Sequence, residues 1–172
     1  EQLIAEGEVF LSETDTEVAA KLLGKNYSGD PLDAISKTMK LLKGSYAFAI
    51  IFSDCPNKVY AAKKDSPLLC GIGKGENYLA SDATAFMSKT SDYIALKDMQ
   101  IAELSENSVC VYTAELVKQT PEILKANWDA GSAELNGYSC YMEKEINEQP
   151  EVAKRVISGR VKDGMPDFSG EN

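Results

Sequence analysis

The run Phe10-Leu11-Ser12-Glu13-Thr14-Asp15-Thr16-Glu17-Val18 places an ionisable Asp in the first turn of a helix, beside backbone donors that the helix itself leaves unpaired. Thr14 and Glu17 have the Thr-x-x-Glu spacing of a capping box, in which hydroxyl and carboxylate each satisfy a backbone N–H at the helix start. Asp15 falls inside that turn, where the helix dipole favours the anion. A carboxylate so placed can hold the ammonium group of a substrate. It can also merely decorate a helix end, and the residue types alone leave both readings open.

The remaining motifs carry less chemistry. Gly71-Ile72-Gly73-Lys74-Gly75 has the glycines that let backbone N–H groups approach a phosphate, but Lys74 is followed by Gly75 and Glu76 rather than Ser or Thr at a helix start. A hairpin turn needing positive φ explains the run better. Asp82 before Ala83 reads as a helix cap. Cys55, Cys70, Cys110 and Cys140 are widely spaced and the chain has no histidine, so no zinc site or other cofactor is expected. A chain of 172 residues can bury a core without disulfides, which favours free, buried or half-buried thiols. The lack of histidine also removes Ser-His-Asp and Cys-His mechanisms from the residues present.

A formal net charge of −9 argues against nucleic acid or an anionic membrane surface as partner. No apolar run approaches the roughly 20 residues that span a bilayer, and the expectation is a soluble cytoplasmic protein.

Several elements must position Asp15. Val18, Ala19, Leu22 and Leu23 recur at helical spacing from Thr14 onward, with Gly24 as the stop, and Gln2 to Glu6 read as the end of another helix. Asp30-Pro31 caps a further helix whose stripe is Leu32, Ile35, Met39 and Leu42, closed by Gly44. Ser45 to Phe52 is an almost unbroken apolar run, which predicts a central strand covered on both faces and not an exposed edge. Strands then follow at 59–63, 68–72, 77–80, 93–96, 100–104 and 108–112, joined by polar turns. This pattern is α+β with largely antiparallel sheets. Between Thr113 and Gly137 the period fades, and Trp128 is read as docking that segment. Beyond Tyr141, Met142 and Ile146 share a face, Pro150 restarts a helix, and Val152, Ala153, Val156 and Ile157 form a stripe suited to docking. Lys144 and Glu148 have i,i+4 spacing, worth roughly 0.2–0.5 kcal/mol. The tail from Lys162 reads as a loose linker.

Together the Phe10 to Val18 run, Gly44-Ser45-Tyr46-Ala47, Ser66-Pro67-Leu68, Gly71 to Asn77, Ala80-Ser81-Asp82 and Tyr141 to Pro150 resemble glutamine–fructose-6-phosphate aminotransferase (isomerizing) in order and spacing. The resemblance implies part of a four-layer αββα N-terminal-nucleophile hydrolase fold. Residues 1–140 would be the C-terminal portion of a glutaminase domain, and 141–172 the connector into a sugar-phosphate isomerase region. One position departs: Cys140 stands where the family commonly has a histidine before Tyr-Met.

The implied activity is hydrolysis of glutamine to glutamate and ammonia, with transfer of the ammonia to fructose 6-phosphate to give glucosamine 6-phosphate. Asp15 alone among the family's substrate-binding residues falls here, matching the aspartate that pairs with the α-ammonium of glutamine. The thiol nucleophile, whose own α-amino group is the base, and the arginine and Asn-Gly donors are expected upstream of Glu1, so these residues alone are expected to be inactive. Glutamine, fructose 6-phosphate through the isomerase domain, and further copies in a homo-oligomer are the expected partners. Two alternatives remain open: the glutaminase domain of another amidotransferase, such as the purine phosphoribosyl enzyme, and a non-catalytic oligomerisation or regulatory half-domain.

Overall fold

Ala61 and Ala62 are neighbours on one strand and are both 0% exposed, so that strand must carry protein on each face. It is β2 (Val59–Lys64), second in a five-stranded antiparallel sheet in the computed structural model, which describes residues 2–126, 135, 137–158, 160–162 and 165–166. Its companions are β1 (Tyr46–Ile50), β6 (Gln100–Ser105), β7 (Ser108–Thr113) and β8 (Lys118–Gln119), in the order β1-β2-β6-β7-β8. A second sheet has the order β4-β3-β5-β9, from β3 (Leu69–Ile72), β4 (Asn77–Ala80), β5 (Asp92–Ala95) and β9 (Leu124–Lys125). Every pairing between named strands is antiparallel.

Successive strand residues point to opposite faces, so each strand of the first sheet serves two cores. Tyr46, Tyr60, Ala62 and Ile101 meet Ile35 and Met39 of helix α3 (Pro31–Leu41). Ala61, Ala102, Leu104 and Val111 meet Leu68, Cys70, Ile94 and Leu96 of the second sheet. Beyond that, Phe86 follows a one-turn 3-10 helix (Ala83–Ala85) and closes on Gly71, where an added Cβ would stand 2.8 Å from its ring. The layering is therefore helix on sheet on sheet, an α+β arrangement with antiparallel sheets and part of the four-layer architecture expected.

Local signals explain most boundaries. The Asp30 carboxylate accepts from Leu32 and Asp33 N–H at the start of α3, with Pro31 in its first turn. Gly44, at φ +88°, turns the chain from α3 into β1, a conformation that an L side chain resists. Gly75, at φ +74°, does the same in the β3–β4 hairpin. Two crossings between the sheets instead use non-glycine residues with positive φ, Asp65 at 58° and Met99 at 61°. They are tied together. Met99 N–H donates to the Lys63 carbonyl at 3.0 Å, and the Asp98 carboxylate accepts Asp65 N–H at 2.9 Å while pairing with Lys63 at 2.6 Å.

The structure corrects several expectations. After the short helix α1 (Gln2–Ala5), helix α2 (Asp15–Asn26) runs through Gly24 rather than ending there. Its stop is Tyr27, whose N–H bonds the Gly24 carbonyl while its hydroxyl donates to Asp54 at 2.5 Å. Gly29, not Gly24, takes the left-handed conformation. β1 is an edge strand among the described residues, with Ala47 and Ala49 exposed on the face they share with Ala61, and Ile51 beyond it 79% exposed. Its apolar character is what suggested a central position, but only β2 pairs with it. β8 and β9 lie in the stretch that lacked a period, because two-residue strands are too short to show one.

The chain divides into two compact units, Glu1–Asn127 and Trp128–Asn172. In the second, α4 (Tyr141–Ser158) is one helix with Pro150 inside it, not a helix restarted there. Pro150 has no N–H, which leaves the Ile146 carbonyl without its usual helical donor. Met142, Ile146, Val152, Val156 and Ile157 are exposed along α4, and Lys144 stands 3.8 Å from Glu148. The expected linker begins as a small hairpin of β10 (Val161–Lys162) and β11 (Met165–Pro166). Trp128 and the rest of the tail lie outside the described residues. Cys140 is exposed, unlike the other three cysteines. No helix among the described residues is long and apolar enough to cross a membrane.

Two outcomes follow from this packing. Ile101 is fully buried beneath α3, so Ile101→Ala should cost about 2–5 kcal/mol in denaturant unfolding. The Lys63 ammonium, and next the Asp65 N–H, hold the Asp98 carboxyl below its usual 3.8. Its stabilising contribution is present above that value and is lost as pH falls through the depressed one. The difference in melting temperature between wild type and Asp98→Asn should therefore be constant above about pH 5 and shrink below it; a difference independent of pH contradicts the role.

Candidate functional site

Asp15 opens α2, and Thr14, with φ −86° and ψ 143°, is its cap. The Thr14 hydroxyl accepts the Glu17 N–H at 3.4 Å, which is the expected half of a capping box. The other half departs from the pattern. Glu17 does not return to the cap's own N–H. Its Oε1 accepts Leu11 N–H at 2.9 Å, and its Oε2 accepts Ser12 N–H at 2.7 Å and the Ser12 hydroxyl at 2.6 Å. Ser12 Oγ also lies 2.9 Å from Thr14 Oγ1 and accepts Thr14 N–H at 3.4 Å. These donors hold the Glu17 carboxyl below its ordinary value, the Ser12 hydroxyl contributing most and the Leu11 N–H next.

The same side of α2 grips the incoming chain farther along. Lys21, one turn beyond Glu17, pairs with Glu8 at 3.3 Å and sits 5.4 Å from the centre of the Phe10 ring. Lys25, a further turn on, pairs with Glu6. Residues 17, 21 and 25 recur every four positions and therefore share one face. The segment from Glu6 to Ser12 runs antiparallel to that face. Each exposed pair alone is worth little, from about 0 to 1 kcal/mol, but together they give the segment one register.

Asp15 lies where this segment turns into the helix. It is exposed, and no hydrogen bond or ion pair engages its carboxylate among the described residues. It lines an open depression of about 760 Å³ whose walls include Phe10, Ser12, Val18, Leu22 and Lys43. An unengaged carboxylate on the rim of a partly apolar hollow can take up a cationic group. A second cavity of about 430 Å³ lies between α2, α3 and β1, with Leu23, Ile35, Met39 and Phe48 in its lining. Its carboxylate, Asp54, is already taken by Tyr27, whose hydroxyl is pushed up to about 12 chiefly by that hydrogen bond. The first hollow is the better place for an ammonium.

The site residue expected from the sequence is thus at the start of α2 as anticipated, with a cavity beside it. Ser12 and the backward reach of Glu17 were not anticipated, because a capping-box spacing shows which donors a carboxylate can satisfy at the cap but not that it reaches two residues farther. Of the cysteines, Cys70 is fully buried between the sheets, and burial pushes its thiol up to about 12, the opposite of an activated nucleophile.

No protein-family model matches the chain. Among curated proteins it is 45% identical over 159 residues to the glutamine–fructose-6-phosphate aminotransferase (isomerizing) of Aquifex aeolicus, covering 92% of this chain and 27% of that protein. It is 43% identical to the enzyme of the same name from Thermotoga maritima, covering 94% of this chain and 27% of that protein. The one from Methanosarcina acetivorans is also 43% identical, with 94% and 28% covered. The chain thus spans a little over a quarter of the length of these relatives. Among solved structures it is similar to the glutamine phosphoribosylpyrophosphate amidotransferase of B. subtilis, with a TM-score of 0.57, 25% identity, and 68% of this chain and 26% of that one covered. Along nearly its whole length the chain is homologous to a single segment of the glutamine–fructose-6-phosphate aminotransferases.

Proposed function

We propose that these residues form the glutamine-binding part of a glutaminase, within an amidotransferase that passes ammonia from glutamine to fructose 6-phosphate and so makes glucosamine 6-phosphate. The observation that carries this reading is the free Asp15 carboxylate on the rim of a hollow, at the helix start where the resemblance expects an ammonium-binding aspartate. An ionised carboxylate beside an ammonium gains about 1–4 kcal/mol at 4 Å, between the bulk-water and protein-surface limits. Asp15 fixes the amino-acid end of glutamine and transfers no proton. The side-chain amide is then directed to a thiol nucleophile outside residues 1–172. Attack there forms a thioester and expels ammonia, and water releases glutamate.

In this reading the segment 141–172 connects to the sugar-phosphate region. The exposed apolar stripe of α4 supports a contact with another domain or with further copies in a homo-oligomer. The cytoplasm is the proposed location. A second reading, the glutaminase part of a phosphoribosyl amidotransferase, is favoured by the solved structure of that kind, but the lower identity ranks it behind.

Asp15→Asn keeps the shape of the side chain and removes its charge. In the full polypeptide that carries this segment, the Michaelis constant for glutamine should rise about tenfold to a hundredfold, as expected for losing a charged hydrogen bond of about 1.5–3 kcal/mol. The melting temperature should stay near that of the wild type. Steady-state kinetics on folded variant with an unchanged Michaelis constant would remove Asp15 from the site.

A further inference from the structure

Three carboxylates, Glu13, Asp15 and Glu17, crowd into the start of α2, yet their circumstances differ. Glu17 is saturated by two backbone N–H groups and a hydroxyl, while Asp15 is left without a partner among the described residues. We propose that Glu17 is a positioning residue for glutamine: it touches no substrate, but it clasps Leu11 and Ser12 so that Asp15 stands free and correctly placed for the ammonium. The inference rests on the reading of Asp15 given above.

The geometry supports this in two ways. First, Leu11 and Ser12 are six and five residues before Glu17 and lie outside the helix, so their bonds to one carboxylate fold the approach segment back onto the helix start. That segment supplies Phe10, Ser12 and Glu13 to the wall of the hollow that Asp15 lines. Second, the clasp occupies the Leu11 and Ser12 N–H groups, four and three residues before Asp15. With Glu17 neutral, the Leu11 and Ser12 N–H groups and the Ser12 hydroxyl lose an ionic acceptor and become free to seek another, and Asp15 is a neighbouring anion. A glutamine ammonium would then compete with the protein's own donors. Lys21 and Lys25 hold the earlier part of the segment whether or not Glu17 is charged, so the loss is confined to residues 11–14.

The test is a double-mutant cycle in the full polypeptide, with Glu17→Gln, Asp15→Asn and the pair. The amide that replaces the Glu17 carboxylate is uncharged and offers a single oxygen as acceptor, so it cannot hold the Leu11 and Ser12 donors as the two carboxylate oxygens do. Glu17→Gln should raise the Michaelis constant for glutamine about three- to tenfold, within the range of coupled neighbours, and leave kcat within about twofold. In the Asp15→Asn background the same change should move the constant less than about twofold, because its effect passes through the Asp15 carboxylate. Equal factors in both backgrounds, or no change in the first, overturn the positioning role. If Asp15→Asn itself leaves the constant unchanged, the reading of the site fails and this inference with it. A rise with Asp15→Asn and none with Glu17→Gln sinks the inference alone. Should Glu17→Gln not fold, Ser12→Ala probes the same clasp from the loop side, and an unchanged Michaelis constant there overturns the role.

Discussion

Everything in the first unit depends on the central sheet being buried from both sides. On β2 and β6, adjacent residues facing opposite ways are equally inaccessible: Ala61 with Ala62, and Ile101 with Ala102, all 0% exposed. Three of these four are alanines. Small side chains let the layers approach closely, and the larger neighbours, Tyr60, Ile35 and Met39 on one side and Leu68, Leu96 and Leu104 on the other, fill the space between them. The helical layer is therefore seated by the sheet, and α3, whose stripe is buried, is the part seated most firmly.

α2 is held differently, and that difference places the site. None of its residues is fully buried. One side offers Ala19 and Leu23 to the cavity over β1, and another carries Glu17, Lys21 and Lys25 against the incoming chain. Its far end is pinned by Tyr27, whose ring lies tilted with its centre 4.7 Å from that of Phe52 and whose hydroxyl is bonded to Asp54. The helix is thus anchored at its C-terminal end by packing and at its N-terminal end by polar contacts that water can reach. Binding elements are commonly drawn from such less stable regions, since they must admit a ligand without unfolding the core.

Much of this could be read from the residues. The Asp30-Pro31 cap, the hairpin at Gly73 to Gly75 and strands β3, β4 and β5 of the second sheet stand close to where local chemistry put them, because each depends on a short-range preference. The place of Asp15 in the first turn of α2 was legible for the same reason. What escaped was set by partners distant in sequence or by geometry with no pattern. β1 is as apolar as a central strand, and nothing within it records which neighbours are present. Gly24 carries a stop signal that the Tyr27 contacts override. Pro150 is tolerated inside α4, although proline ordinarily ends a helix or opens one. Glu17 was recognised as a capping residue, but a spacing rule cannot say which of several nearby N–H groups a flexible side chain will choose.

That choice distinguishes a helix end that only terminates from one that can bind. A carboxylate in the first turn is stabilised by the helix dipole whether or not it has a task, so its charge alone says little. Had Glu17 closed the ordinary capping box, the Leu11 and Ser12 donors would have lacked this acceptor. Because Glu17 reaches past the cap, it takes up those donors, while Asp15, like Glu13, lines the hollow. Two acids in the same first turn thereby divide the work. One satisfies the chain, and the other is the one we propose for a ligand.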